Sequence, residues 1–293
     1  MSTTVTETAE YSNATLPTRP QDGETIYMDA GAAPQWPLWA RLYNRTAHHE
    51  ALLFGMMSWS GDFAVDSGGS NSSFTVRIGV IAGVNLYNAS ASVVKSYAGG
   101  TIGASKISGG GNLSNSTWYY VYAYLNSGSI DFEISTTAPA GSKLVKNGDA
   151  SRVYLGCFPT TSAGAPIPLR AVRGRYVYNF SGSAVADTRV LDAGNATSNT
   201  AVDLAGLVPP HSRMATLRAE AVSTTGSAKN NAFIRTEGES GADEIAVPVP
   251  SINLASTTLV LDVLTDADQD VAYRVSNFTS APTLTLFVHG FYE

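Results

Sequence analysis

Charge is scarce in this chain: Asp, Glu, Lys and Arg make up 14% of its 293 residues, against roughly 25% in an average soluble protein. Basic charge is scarcer still, with 18 Lys and Arg set against 24 Asp and Glu, a net charge of −6. Phosphates are met by clustered Lys and Arg, so this balance excludes nucleic acid as an expected partner. Cysteine occurs once, at Cys157. That excludes an internal disulfide framework and any zinc cluster of several thiolates, and no metal or cofactor is expected. The setting of Cys157, Val153-Tyr154-Leu155-Gly156-Cys157-Phe158, reads as a small hydrophobe in a core. No window nears the ~18 consecutive apolar residues of a membrane helix, so membrane insertion is not expected. Met1 to Glu10 lacks the basic start and apolar stretch of a secretory signal, and export is not expected either.

In place of charge stand Ser and Thr, about a fifth of the chain, and 27 Gly, while 44% of residues are apolar. That apolar share argues against disorder. Scarce Lys, Glu and Leu beside abundant Val, Tyr, Thr and Gly argue for strands rather than helices. The expected fold is all-β: two β-sandwich or jelly-roll-like domains behind an extended N-terminal arm, divided at 1–45, 46–183 and 184–293.

The arm is polar, Thr-rich and broken by Pro17 and Pro20, and it ends in Pro34-Gln35-Trp36-Pro37-Leu38-Trp39. Two tryptophans between prolines form no regular helix and are too apolar for water. They pack either as a strap on their own domain or as a particle-attachment anchor on a neighbour. Ala47–Trp59 is the one helix-like stretch, although a strand over Leu52–Met57 fits nearly as well. Beyond it the text alternates with period two, in Phe74–Val80 and again in Trp118–Leu125. Asn126-Ser127-Gly128-Ser129 then leads into Ile130–Ile134, a hairpin signal. Further strands are expected at Leu204–Val208, Met214–Val222, Ala232–Thr236, Thr257–Val263, Val271–Val275 and Leu284–Val288.

Catalytic signals are thin. His48, His49, His211 and His289 show no metal-ligand spacing, and neither a nucleophile elbow nor a phosphate loop is present. Asp131 and Glu133 share one strand face, the arrangement a glycoside hydrolase would need, but such pairs are common on surface strands. Asp266-Ala-Asp268-Gln-Asp270 opens like a calcium loop and then lacks its Gly and closing Glu, so a solvated turn is expected. Tyr120, Tyr122 and Tyr124 share one face, about 7 Å apart by strand geometry. The Val121-Ala123-Leu125 face is the natural inward one, which places the tyrosines outside as a subunit interface or a glycan platform. Arg173 and Arg175 are expected on one side of a strand, with Arg170 on the other. They fit a neighbour's carboxylates, an acidic sugar or cross-strand ion pairs. The 13 Arg against 5 Lys suit fixed planar contacts. Nine Asn-x-Ser/Thr triplets reflect composition rather than glycosylation.

Two stretches resemble known text. Asn115-Ser-Thr-Trp118-Tyr-Tyr-Val-Tyr-Ala-Tyr124, Ser135-Thr-Thr-Ala-Pro139 and Ser151-Arg152-Val-Tyr154-Leu-Gly156 resemble a module of tailed-bacteriophage virion proteins, often tail fibres or other appendages. Asp187-Thr-Arg189-Val-Leu, Val208-Pro-Pro210-His-Ser-Arg213 and the ending Tyr273-Arg274-Val-Ser276 through Leu286-Phe-Val-His-Gly290-Phe-Tyr are similar to text that follows it. The likeness covers roughly residues 110 to 293. It implies a β-rich, non-enzymatic virion protein, commonly a homotrimer, anchored by its N-terminal arm to other virion proteins. A tail fibre is the first expectation, with contact to a host surface glycan as one role. A capsid decoration or head-fibre protein and a free carbohydrate-binding module are the alternatives.

Overall fold

The computed structural model describes residues 58–59, 62–88, 91–141, 145–172, 174–179, 184–222, 230–238, 244–249, 256–275 and 282–293. The expected arm, with Pro34, Trp36, Pro37 and Trp39, lies outside these residues, as do Ala47–Met57 and Arg173. The described chain is all-β. Its strands are β1 (Ser58–Trp59), β2 (Phe63–Val65), β3 (Val76–Ile78), β4 (Ile81–Asn88), β5 (Ala91–Tyr97), β6 (Gly100–Ile102), β7 (Trp118–Asn126), β8 (Ser129–Ser135), β9 (Val145–Lys146) and β10 (Asp149–Pro159). There follow β11 (Leu169–Val172), β12 (Arg175–Tyr178), β13 (Arg189–Gly194), β14 (Thr200–Asp203), β15 (Met214–Val222), β16 (Asn230–Thr236), β17 (Ile245–Val249), β18 (Ser256–Leu264), β19 (Asp270–Val275) and β20 (Thr283–Tyr292). The strands pair antiparallel.

Four sheets result: β1-β4-β5, β8-β7-β10-β9, β14-β19-β16-β17, and a nine-stranded sheet β18-β15-β20-β12-β11-β2-β3-β6 with β13 also on β20. The large sheet crosses the division expected near residue 183. β12, from before it, pairs with β20, from after it, through Arg175–Tyr292, Tyr176–Phe291 and Val177–Gly290. One buried cluster runs from Phe63 to Phe291. The two blocks therefore share a sheet and a core. Gly290 makes the junction sterically feasible, because a Cβ there would lie 2.0 Å from the Tyr176 carbonyl oxygen.

The β7–β8 hairpin forms where the sequence places it, with Asn126 opposite Ser129. Ser127 and Gly128 both have positive φ, 49° and 83°, as a two-residue hairpin turn matched to strand twist requires. Leu204–Val208, expected as a strand, is instead a buried turn in which the N–H groups of Leu207 and Val208 donate to the Leu204 carbonyl. Gly206 and the following Pro209-Pro210 favour that reversal. Pro248 lies inside β17, a strand its neighbours on both sides obscure. It is tolerated because β17 is the outer strand of its sheet, where one edge needs no donor.

Candidate functional site

Strand β7 lies in a central layer. Its odd face is covered by the β4–β5 hairpin, whose Tyr97 packs edge-on against Phe132 of β8 at 4.8 Å, and on that face Tyr119 stacks on Phe158 of the neighbouring β10 at 5.8 Å. Its even face turns toward the large sheet, where Trp118 meets Phe291 edge-on at 5.7 Å and donates from Nε1 to the Ala205 carbonyl at 2.8 Å. Both faces are therefore inside. Tyr120 and Tyr122 are 3% and 0% exposed, which corrects the expectation of an outward tyrosine face. Alternation correctly separated the two faces, but a third layer closes the second one. Only Tyr124, near the hairpin end, is half-buried. Burial pushes the phenols of Tyr120 and Tyr122 far above their ordinary value, so both keep their protons. The Tyr122 hydroxyl donates to the Thr137 carbonyl at 2.7 Å.

A bulge shapes what the even face holds. Tyr154 pairs with Tyr122 and Gly156 with Val121, so Leu155 is the extra residue. In a regular strand residues three apart point to opposite faces; the bulge turns Tyr154 and Cys157 to the same one. Both then reach Glu293. The Glu293 Oε1 atom accepts from the Tyr154 hydroxyl at 2.7 Å and the Cys157 thiol at 3.1 Å, and lies 2.6 Å from His211 Nε2. His211 comes from the turn after Pro209-Pro210, and its ring also packs on Tyr120 and Tyr154. Burial works to raise the Glu293 pKa. The hydrogen bond and charge of His211, with the Tyr154 and Cys157 donors, outweigh it and hold the carboxyl below its ordinary value. Cys157, expected as a plain core hydrophobe, is fully buried, but its thiol belongs to this polar hub.

The open end of the same face is a charge network. Arg152 lies over the Tyr124 ring at 3.9 Å and binds Glu133 at 2.6 Å. Lys146 binds the other oxygen of Glu133 at 2.5 Å, and Lys106 binds Asp131 at 2.5 Å. Burial works to raise the pKa of Asp131, but Lys106 together with the Phe132 N–H and Asn126 brings it down to about 2. Glu133 is likewise held low by Lys146 and Arg152 against its burial. Neither carboxyl is a stored proton, whereas glycoside cleavage needs one acid with a raised pKa.

The expected Arg170–Arg175 strand is in fact a hairpin, because the chain reverses between Val172 and Arg175, which pair. Arg170 and Arg175 consequently lie on the same, outward face of the large sheet, not on opposite sides. Arg175 stands 5.6 Å from the Tyr292 ring centroid. Beside it, Arg77 and Arg170 flank Ala64 in register and wall a 420 Å³ groove floored by Ala64, Gly79 and Gly100. The acidic run at Asp266–Asp270 is a self-satisfied turn, as the sequence suggests. The Asp266 carboxylate accepts from the Asp268 and Asp270 N–H groups.

Among the described residues one group has the donor types and proximity to hold a metal ion: Cys157, His211 and Glu293, with ligand atoms within 4.8 Å of one another. Sequence reading missed it because Glu293 is 82 residues from His211 and 136 from Cys157, and no spacing motif links them. No family model matches the chain, and no curated protein matches it.

Proposed function

We propose that the chain is a non-enzymatic structural protein of a tailed-phage virion. In this reading it is a tail fibre or tail-associated appendage, assembles as a homotrimer through its β-structure, and is attached by residues 1–45. The observation that carries the assembly part is one row on the outward face of the large sheet. Leu264, Met214, Tyr292, Arg175 and Val172 stand in register on five adjacent strands, with Leu264 57% and Val172 53% exposed. Apolar and aromatic side chains interleaved with Arg are the composition of a subunit interface. The phage part rests on the wording of residues 110 to 293. The paired, ionised state of Asp131 and Glu133 supports a role other than hydrolysis. Burial of Tyr120 and Tyr122 removes the stacking platform that favoured a free sugar-binding module.

Mass spectrometry of purified virions tests placement. A handful to a dozen copies per particle is the expected result, and hundreds would overturn the tail reading in favour of a shell decoration. Light scattering tests assembly, and a stable monomer at micromolar concentration would overturn it.

A further inference from the structure

We propose that Cys157, His211 and Glu293 form a binding site for one zinc-type divalent metal ion, which ties β20 and the turn after Pro209-Pro210 to β10. The site supplies one sulfur, one nitrogen and one oxygen donor, the mixture that a borderline-soft, tetrahedral ion accepts. Tetrahedral geometry at ordinary zinc bond lengths places donor atoms about 3.3–3.7 Å apart. Two observed separations lie just below that range, 2.6 Å from Nε2 to Oε1 and 3.1 Å from Sγ to Oε1, and no pair is beyond 4.8 Å. Both short contacts are made by one atom, Glu293 Oε1, so binding requires that oxygen to draw back from Nε2 and Sγ. The buried Nδ1 of His211 has no hydrogen-bond partner, and the ring is held by Glu293 and by its packing on Tyr120 and Tyr154.

Charge favours the ion as well. Binding releases two protons to solvent, the thiol proton of Cys157 and the Nε2 proton with which His211 faces Glu293, leaving thiolate, carboxylate, neutral imidazole and a 2+ ion with no net charge. A neutral cluster is the form that a buried site tolerates. Outer support is already built, because the Tyr154 hydroxyl donates to Glu293 at 2.7 Å and orients the carboxylate. The side chains of His211 and Glu293 are 13% and 9% exposed, so two of the three donor side chains keep some contact with solvent. The proposal is independent of the virion reading.

The test uses cobalt(II) as an optical probe on the full chain after treatment with a chelator. The expected result is a thiolate-to-cobalt charge-transfer band that saturates at one equivalent and is abolished by excess zinc. Zinc should also raise the melting temperature, and H211Q, checked for β-structure by circular dichroism, should lose most of that rise. Because Cys157 is the single cysteine, a thiolate band in the unmodified protein can come only from it. The decision therefore does not depend on any variant folding. No charge-transfer band at tenfold cobalt excess would overturn the proposal and leave a metal-free hydrogen-bond hub.

Discussion

In the middle of the molecule the buried side chains are mostly rings, among them Phe63, Tyr119, Tyr122, Tyr154, Phe158 and Tyr176. Between β15 and the β14-β19-β16-β17 sheet they are small and aliphatic: Ala215, Leu217, Ala219, Ala232, Ile234 and Val247. The two interiors obey different constraints. A buried phenol brings a hydroxyl that must find a partner. The tyrosines accordingly draw in Thr137, Leu207 and Glu293 as acceptors. The aliphatic interior carries Tyr273 as such a handle, its hydroxyl meeting the Ala196 N–H at 3.4 Å, and is otherwise held by shape. A polar hub thus appears where the aromatics are, and it ties strands from both blocks together through Glu293.

Phe291 is where the comparison can be broken most severely. It stacks on Tyr176 at 4.4 Å and meets Trp118 at 5.7 Å, so Phe291→Ala is expected to cost about 3–5 kcal/mol in denaturant unfolding. Leu217→Ala, in the aliphatic interior, should cost less, near the low end of about 2–5 kcal/mol, since flanking alanines leave little ring surface to strand. If Leu217→Ala proved the more damaging, the aromatic interior would not be the stronger of the two.

Tyr122→Phe sharpens the claim about hydroxyls. It keeps the ring and removes only the bond to the Thr137 carbonyl, so a loss of about 1 kcal/mol is expected. A change within error would mean that the hydroxyl contributes nothing. Least in size is the acid response of the charge network. Asp131 is depressed to about 2 in the fold from an ordinary 3.8. Its contribution is therefore complete above the unfolded value and is lost as pH falls through the folded one. Urea midpoints of the protein and of Asp131→Asn should converge between about pH 3.8 and about pH 2. A constant difference across that window would remove Asp131 from the network.

Much of the strand pattern was legible, because alternation and turn residues are local. Trp118–Leu125, the Ser127-Gly128 turn and Met214–Val222 could each be read from neighbours a few residues away. What surrounds a strand could not. The face of Tyr120 and Tyr122 looked outward because nothing near it in sequence reports the layer that covers it. The bulge at Leu155 was equally silent, since no turn residue announces it, yet it decides that Tyr154 and Cys157 face together. Arg170 and Arg175 were misassigned because the reversal between them falls inside a run that reads as one strand. The Cys157–His211–Glu293 group depends on all three kinds of information at once.

The place of β20 has a consequence for how the molecule comes to be. It follows every other described strand in the chain, yet it sits inside the large sheet, between β15 on one side and β12 with β13 on the other. Until its residues emerge from the ribosome, three strands wait with open edges, and the hub lacks its acceptor. Closure must then join residues far apart in sequence, as in the Tyr154–Glu293 bond across 139 positions. Such a topology orders slowly, on a scale of milliseconds to seconds. The nascent chain should therefore stay protease-sensitive until synthesis passes Tyr292, and open edges of this kind invite pairing with other copies in the meantime.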